Sequence, residues 1–418
     1  MGAETATGPS ALSRLRSSAI DWLAGQQDST SCGASSSFAG LVRSFSIPHN
    51  DPDSGHDRDG TPRPGCRLEH RSFVYDDALA VLAFLGADVA DRARAILAQL
   101  AKLQSDDGSL PFSVDTYLGR VADDYRRSGA LAWVGYAAVR YELKSGSDEF
   151  RPCAEGLADY LQTLQVTRAN GHRTDDPRYG SVLAGRGRYD PAYRFIDAPM
   201  TFASTEHNID AYFFFRDLAN LSHDDRYGEV AQLVKRSLLA HHWNAADQRF
   251  YQGISLDGPD SGLALDLSTW GGLFLLAAGE ADKARAAAST LSEFRVSSLS
   301  VEFSNDPSSF NQTFRHPGPF DGYKPYARSP GYDTPPELLW AEGTWGALLL
   351  RLRLGEDVAN DLTSMQRLQA LDPQGGFVQT STGSRRPPYE FHVWPAVGAT
   401  AWAAIVTGDP TPLWAADA

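Results

Sequence analysis

Two kinds of apolar pattern alternate along this chain. In the first, apolar residues recur at i, i+3 and i+4 with charges between them, the signature of a helix with one covered face. It predicts amphipathic helices over 11–26, 88–104, 151–165, 225–243, 280–294 and 356–371. In the second, segments are apolar on nearly every side and rich in Ala, Gly and aromatics; these predict helices over 76–86, 128–143, 206–221, 265–279, 336–355 and 394–408. The alternation is strict. A helix apolar all round has to be buried, and a one-sided helix has to cover it. Six buried helices ringed by six covering ones make an all-α (α/α)6 toroid, a single closed domain over 1–418 with no linker, in which the polar residues 1–10 are expected to be disordered.

The connections carry further information. Turns of the form Q-x-x-D-G recur after covering helices, at 23–33, 100–110 and 367–377, and suggest hairpin units built on one plan. Short strand signals at 249–253, 377–381 and 388–394 place a few hairpins at the rim. Long connections over 27–72, 166–203 and 295–335 all precede buried helices. They therefore fall on one face, and loops of that length usually bind or gate something. The site is expected there.

Charge and cysteine usage remove several function classes. With 52 acidic against 38 basic residues the net charge is −14, and no basic cluster is present to neutralise phosphates. Nucleic acid is not an expected partner. No apolar run approaches the roughly 18 residues that crossing a membrane needs. Cys32, Cys66 and Cys153 show no zinc-type spacing; Cys32 and Cys66 flank one loop and either pair or stay reduced. The acid-rich stretch 51–59 reads as a solvated loop before it reads as a weak calcium site. No metal and no cofactor is expected, and the chain is expected to be a monomer. Met1 to Ser10 lacks an apolar core, so the expectation is a cytoplasmic protein or a secreted one whose leader has been removed.

The candidate chemistry lies where the buried helices begin. Those starts carry Tyr75 and Asp76, Asp124, then Glu206, His207, Asn208 and Asp210, then Asp266 and Trp270, then Trp340, Glu342 and Trp345, and finally His392 and Trp394. An acidic residue in a first turn can simply cap the helix and suit its dipole, a reading open to Asp76, Asp77, Asp123, Asp124 and Asp266. Glu206 and Asp210 are four apart and share a helix face. Glu342 stands in an otherwise apolar helix, where an isolated carboxylate is costly unless paired or used. His241–His242 are expected to top an outer helix, and His316 to belong to a lid. Carboxylates facing one another across a funnel lined with Trp and Tyr suit a carbohydrate or another small polar substrate. Glu342, in the apolar setting that raises a carboxyl pKa, is the expected general acid, with Glu206 or Asp210 as base and Asp76 beside them. Tyr75, His207, Asn208, Asp124, Trp270, Trp340, Trp345, His392 and Trp394 are the expected substrate contacts.

The runs YDDALA (75–80), STEHNIDAY (204–212), WAEGT (340–344) and ATAW (399–402) resemble a bacterial family of six-hairpin toroids within the six-hairpin glycosidase-like superfamily. The likeness covers nearly the whole chain from about residue 70, through Tyr75, Asp76, Glu206, His207, Asn208, Asp210, Glu342 and Trp402. It implies the (α/α)6 fold and a tie to glycan processing. A glycoside hydrolase is the leading expectation. A polysaccharide lyase using Tyr75, His207, Asn208, Arg126 and Arg194, a sugar epimerase using His207 and His392, a biosynthetic enzyme acting on a small metabolite, and a non-catalytic binding protein stand as alternatives.

Overall fold

The computed structural model describes residues 10–30, 37–49, 51, 53–55, 61, 63, 67–190, 192, 194–303, 314–328, 334–386 and 389–416. Cys32, Cys66 and most of 51–59 lie outside them. The covering helices are α1 (Ala11–Ser29), α3 (Ala90–Leu103), α5 (Arg151–Thr163), α7 (Asp225–Ser237), α9 (Ala281–Ser289) and α11 (Ala359–Gln369). The inner helices are α2 (Val74–Gly86), α4 (Ser128–Ser145), α6 (Thr205–Ser222), α8 (Leu265–Ala277), α10 (Ala341–Arg353) and α12 (Val397–Val406). Their burial follows their composition. Every residue of α12 is buried, whereas α3 buries the single stripe Ala93, Ile96, Leu97 and Leu100.

Each inner helix packs on the next, and α12 returns to α2, which closes the ring as an (α/α)6 toroid. Helices α1, α3, α5, α7 and α9 pack on α12, α2, α4, α6 and α8 in turn. The sixth pair is different. The antiparallel hairpin of Arg295–Phe303 and Phe314–Tyr323 sends its second strand between α10 and α11. Ser364 Oγ donates to Asp321 O at 2.9 Å and accepts from Asp321 N at 2.7 Å, while Asp361 joins Arg295 and Arg351. Part of the long 295–335 connection is thus a wedge in the outer wall.

The same stapling recurs around the whole mouth. All six inner helices follow an N-cap residue in an extended or near-extended conformation, and only Ser204 caps with its side chain. The first helical N–H is instead taken by a carbonyl from a neighbouring rim segment. Val74 donates to Phe112, Ser128 to Ala184, Thr205 to Gln252, Leu265 to Pro325, Ala341 to Gln379 and Val397 to Ser44, at 2.8–3.2 Å. Each acceptor lies in the connection that follows an outer helix, so each hairpin closes on the start of the inner helix beside it. These bonds satisfy donors that a helix start leaves without partners.

The glutamines of the recurring turns have a common task. Gln27 Nε2 donates to Gly40 O and Arg92 O, Gln104 to Gly108 O and Cys153 O, and Gln369 to Gly375 O and Leu15 O. Each amide pins its own turn to the adjacent outer helix.

Three expectations shift. Helix α10 begins at Ala341 and not at 336, because Leu339 donates to Ser381 Oγ and Trp340 bridges to Thr380 in extended form. Residues 377–381 make isolated bridges in place of a strand. His242 does not top its helix: it is buried between Ser181 Oγ at 2.9 Å and Thr205 Oγ1 at 2.8 Å, and burial pushes its pKa down to about 3.

Candidate active site

Five carboxylates from four inner helices meet at the mouth of the ring. Glu342, in the first turn of α10, accepts from the Tyr75 hydroxyl of α2 at 2.5 Å. That hydroxyl is in turn approached by Trp402 Nε1 of α12 at 3.4 Å. The other Glu342 oxygen lies against Gly398, where a methyl group would sit only 2.7 Å from it and 3.5 Å from Asp76 Oδ1. Asp76 is buried and held by the Ser44 side chain and the Gly398 N–H. Glu206 and Asp210 project from one face of α6. Asp210 accepts from the Trp133 side chain, while its Oδ1 is buried without a hydrogen-bond partner. Asp266, in the first turn of α8, also has Oδ1 buried and unpartnered.

Among the described residues no Lys or Arg forms an ion pair with any of the five. Burial raises all of their pKa values, and repulsion from other members of the cluster raises Glu342, Asp210 and Asp266 further. Glu342 is pushed up to about 8, Asp76 and Glu206 to about 7, and Asp210 and Asp266 well above the usual carboxylate range. The positive ends of the inner helices point at the same volume and favour ionisation, yet desolvation prevails. Near neutral pH the cluster holds protons and negative charge together.

Beneath the carboxylates the ring is filled with indoles. Trp402 meets Trp133 and Trp270 edge to face at 6.0 and 5.4 Å, and Trp414 closes over Trp133 at 5.2 Å from below. Tyr75 stands on Trp133 at 5.8 Å. This floor makes the site a blind funnel and lowers its polarity.

His207 lies beside the carboxylates. Its Nδ1 is 3.1 Å from Ser128 Oγ, and burial together with the Arg127 charge pushes its pKa down to about 4, so the ring is neutral at physiological pH. The ring occupies the space above Gly129, where a Cβ would be 2.5 Å from His207 Cδ2. Arg127 Nη1 donates to Gly187 O at 3.0 Å, and its guanidinium lies 4.1 Å over the Tyr125 ring.

Glu342, Glu206, Asp210, Asp76, Tyr75 and His207 therefore converge as the sequence suggested. Other expected contacts do not. Asn208 is fully buried with its amide committed to both polar atoms of the Val182 backbone and to Ser204 O, so it is a loop clamp. Trp345 has no exposed surface and packs edge-on against Phe377, and Trp270 belongs to the floor under Trp402. Asp124 turns outward, 52% exposed, and pairs with Arg126. Trp394 is buried between Phe45 and His392, whose ring stacks on it at 3.8 Å. Trp340 and His392 stay half-buried on the mouth. Asp266 was read as a helix cap and instead joins the cluster. Gly129 and Gly398 carried no visible signal, because their importance is the space they leave for His207 and Glu342.

No known family profile and no curated protein matches the chain. Solved structures do. A family 76 glycoside hydrolase from a bovine Bacteroides thetaiotaomicron strain superposes with a TM-score of 0.59 at 12% identity, covering 96% of this chain and 78% of that one. A D-mannose isomerase gives 0.57 at 11% identity, over 97% and 99%. An alpha-amylase from Clostridium perfringens gives 0.58 at 11% identity, over 94% and 97%. At such identities the likeness is one of fold.

Proposed function

We infer that this protein is a glycan-active enzyme, and that its reaction is hydrolysis of a glycosidic bond. The observation carrying this reading is the pairing of Glu342, held by Tyr75 and pushed up to about 8, with the half-buried Glu206 across the same blind funnel. At neutral pH Glu342 is largely protonated. Tyr75 donates to its Oε1, leaving the other oxygen to carry the acid proton. That proton passes to the bridging oxygen as the bond from it to the sugar carbon breaks. Glu206, ionised, takes a proton from a water whose oxygen forms the new bond to that carbon. Asp210 and Asp266, pushed well above the usual carboxylate range, can hydrogen-bond sugar hydroxyls. The structural neighbours, two named as hydrolases of sugars and one as a sugar isomerase, support a glycan substrate.

Isomerisation of a free sugar is the second reading, favoured by the neutral His207 imidazole fixed on Ser128 beside Glu206. Product mass spectrometry over a broad glycan panel separates the two. Fragments summing to the substrate plus one water, absent with Glu342→Gln, are the expected result. A product of unchanged mass but altered mobility establishes the isomerase. Fragments summing to the substrate mass, one of them unsaturated, establish a lyase, and a panel left untouched by the wild type removes the glycan reading.

A further inference from the structure

An unbroken file of rings runs around one side of the mouth. It begins with His392 stacked on Trp394 at 3.8 Å and continues through Phe45 at 5.7 Å, Phe73 at 6.3 Å and Phe112 at 5.4 Å. From Phe112 it passes to Tyr125 at 4.8 Å, Tyr189 at 6.2 Å and Phe195 at 5.5 Å. The inner members are buried or half-buried and hold the rim segments together. The outer end is different: Tyr189 and Phe195 are 39% and 36% exposed on the paired strands Gly185–Tyr189 and Phe195–Pro199. Phe202, 38% exposed, stands on the neighbouring strand that leads into α6.

Of the seven large apolar side chains exposed among the described residues, Val121, Tyr189, Phe195, Phe202 and Leu256 all belong to segments around the starts of α4 and α6. Exposed rings gathered in one sector call for an explanation that single scattered ones do not. The sector is also joined to the carboxylates. Strand Arg126–Arg127 pairs with Gly185–Tyr189 and runs straight into α4, whose first residue holds His207. Gly187 is kept bare so that Phe195 can lie across it toward Tyr125; a Cβ there would be 2.6 Å from the Phe195 ring. Arg127 covers Tyr125 and has no carboxylate partner among the described residues, which gives the wall a hydrogen-bond donor group at its inner end.

We propose that Tyr125, Tyr189, Phe195 and Phe202 form an outer subsite, so that the substrate is a neutral oligosaccharide or polysaccharide end longer than two units. This rests on the glycan reading above. One end of the sugar chain enters the carboxylate funnel, and its further units lay their apolar C–H faces on the exposed rings. Neutrality follows from charge: five carboxylates with no Lys or Arg ion pair among the described residues, in a chain of net charge −14, repel an acidic sugar. Around the rings Arg126, Arg186 and Arg194 are already paired with Asp124, Asp197 and Asp190, which leaves Arg127 and Arg188 against them. The rings offer apolar faces, and most of the charges beside them are paired with one another, which suits neutral pyranose units.

Calorimetric binding of two-unit and six-unit malto-, α-1,6-manno-, cello- and xylo-oligosaccharides to Glu342→Gln, with and without Tyr189→Ala/Phe195→Ala, tests this. In at least one series the six-unit member is expected to bind about tenfold or more tighter than the two-unit member, and the double substitution is expected to remove most of that gain. Both replaced side chains are exposed, so the fold tolerates their loss. Equal affinity for short and long members, or a length gain that survives the double substitution, overturns the outer subsite while leaving hydrolysis of short glycans standing. Loss of affinity for both lengths by the same factor also overturns it. Absence of binding in all four series overturns it too; turnover of free hexoses by the wild type in that case leaves the isomerase reading intact, and no turnover removes both.

Discussion

At the end of the ring where the inner helices finish, arginines meet backbone carbonyls. Arg353 donates to Pro410, Leu413 and Trp414, Arg216 to Ala415, and Arg16 to Gly86. Trp414 stacks face to face on Phe213 at 4.7 Å and seals the floor. At the opposite end, where the same helices begin, five carboxylates share a desolvated volume with no Lys or Arg ion pair among the described residues. Cations at helix C-termini and acids at N-termini both agree with the helix dipole. The difference is in neutralisation. The closed end satisfies its charges with carbonyls and the Asp217 carboxylate, and so contributes stability. The open end leaves its charges opposed, which costs stability and keeps proton-transfer groups near neutral pKa.

If the closed end is the structural half, damage there should be large and should be read in unfolding. Trp414→Ala removes a buried indole that touches Phe213, Trp133 and Trp270. It is expected to lower stability by about 3–5 kcal/mol in denaturant unfolding. Turnover by the folded fraction should change much less. The opposite pattern would make the plug part of the site.

If the open end is under electrostatic stress, relieving it should stabilise the protein in a pH-dependent way. Glu342 holds its proton up to about pH 8 when folded and to an ordinary carboxylate value when unfolded. Below the unfolded value both states hold the proton and nothing is lost. Between the two values only the folded chain holds it, so raising the pH favours unfolding, and the loss is complete above the folded value. Glu342→Gln keeps an acceptor for Tyr75 and removes the titration. The gain over wild type is expected to be near zero at pH 4 and to grow to about 1–4 kcal/mol by pH 9, measured by thermal melts. A gain that does not vary with pH would show that Glu342 is not strained in the folded state.

How far all this could be seen beforehand differs between fold and site. The twelve helices were legible because composition separates inner from outer: α12 has no charge, and α7 shows one stripe. The strands leading into the inner helices were not, since two- or three-residue strands such as Arg126–Arg127 have no periodicity to detect. In the site, Glu342 stood out as an acid in apolar company, and Glu206 as one of two acids sharing a helix face with Asp210. Asn208, in the same motif, looked equivalent, and only the position of the Val182 backbone shows its amide fully used. Trp345 and Trp270 could not be told from wall tryptophans, because a Trp beside a carboxylate in sequence can face the next helix. Asp266 passed as a cap for the converse reason.

The finest comparison between the two ends concerns a single methyl group. Gly408, just past α12, is close to Arg16, whose flexible end can move aside; a Cβ would be 2.8 Å from Cζ. Gly398, at the start of the same helix, faces Glu342, where a Cβ would be 2.7 Å from Oε2, and that carboxylate is fixed by Tyr75. Gly398→Ala should therefore push Glu342 off its hydrogen bond, or tilt α12 against its neighbours. Overpacking of this kind costs about 1–3 kcal/mol, and a shift of the acid by a fraction of an ångström should cost roughly 10- to 100-fold in kcat. Gly408→Ala should leave kcat within about twofold, since the contact it makes is with the far end of the Arg16 side chain, remote from the funnel. Steady-state kinetics of the two variants on the glycan identified by the panel, alongside their melting curves, checks both. Equal effects on kcat would mean that α12 moves as a rigid unit and that the tight fit at Glu342 is not what positions the acid.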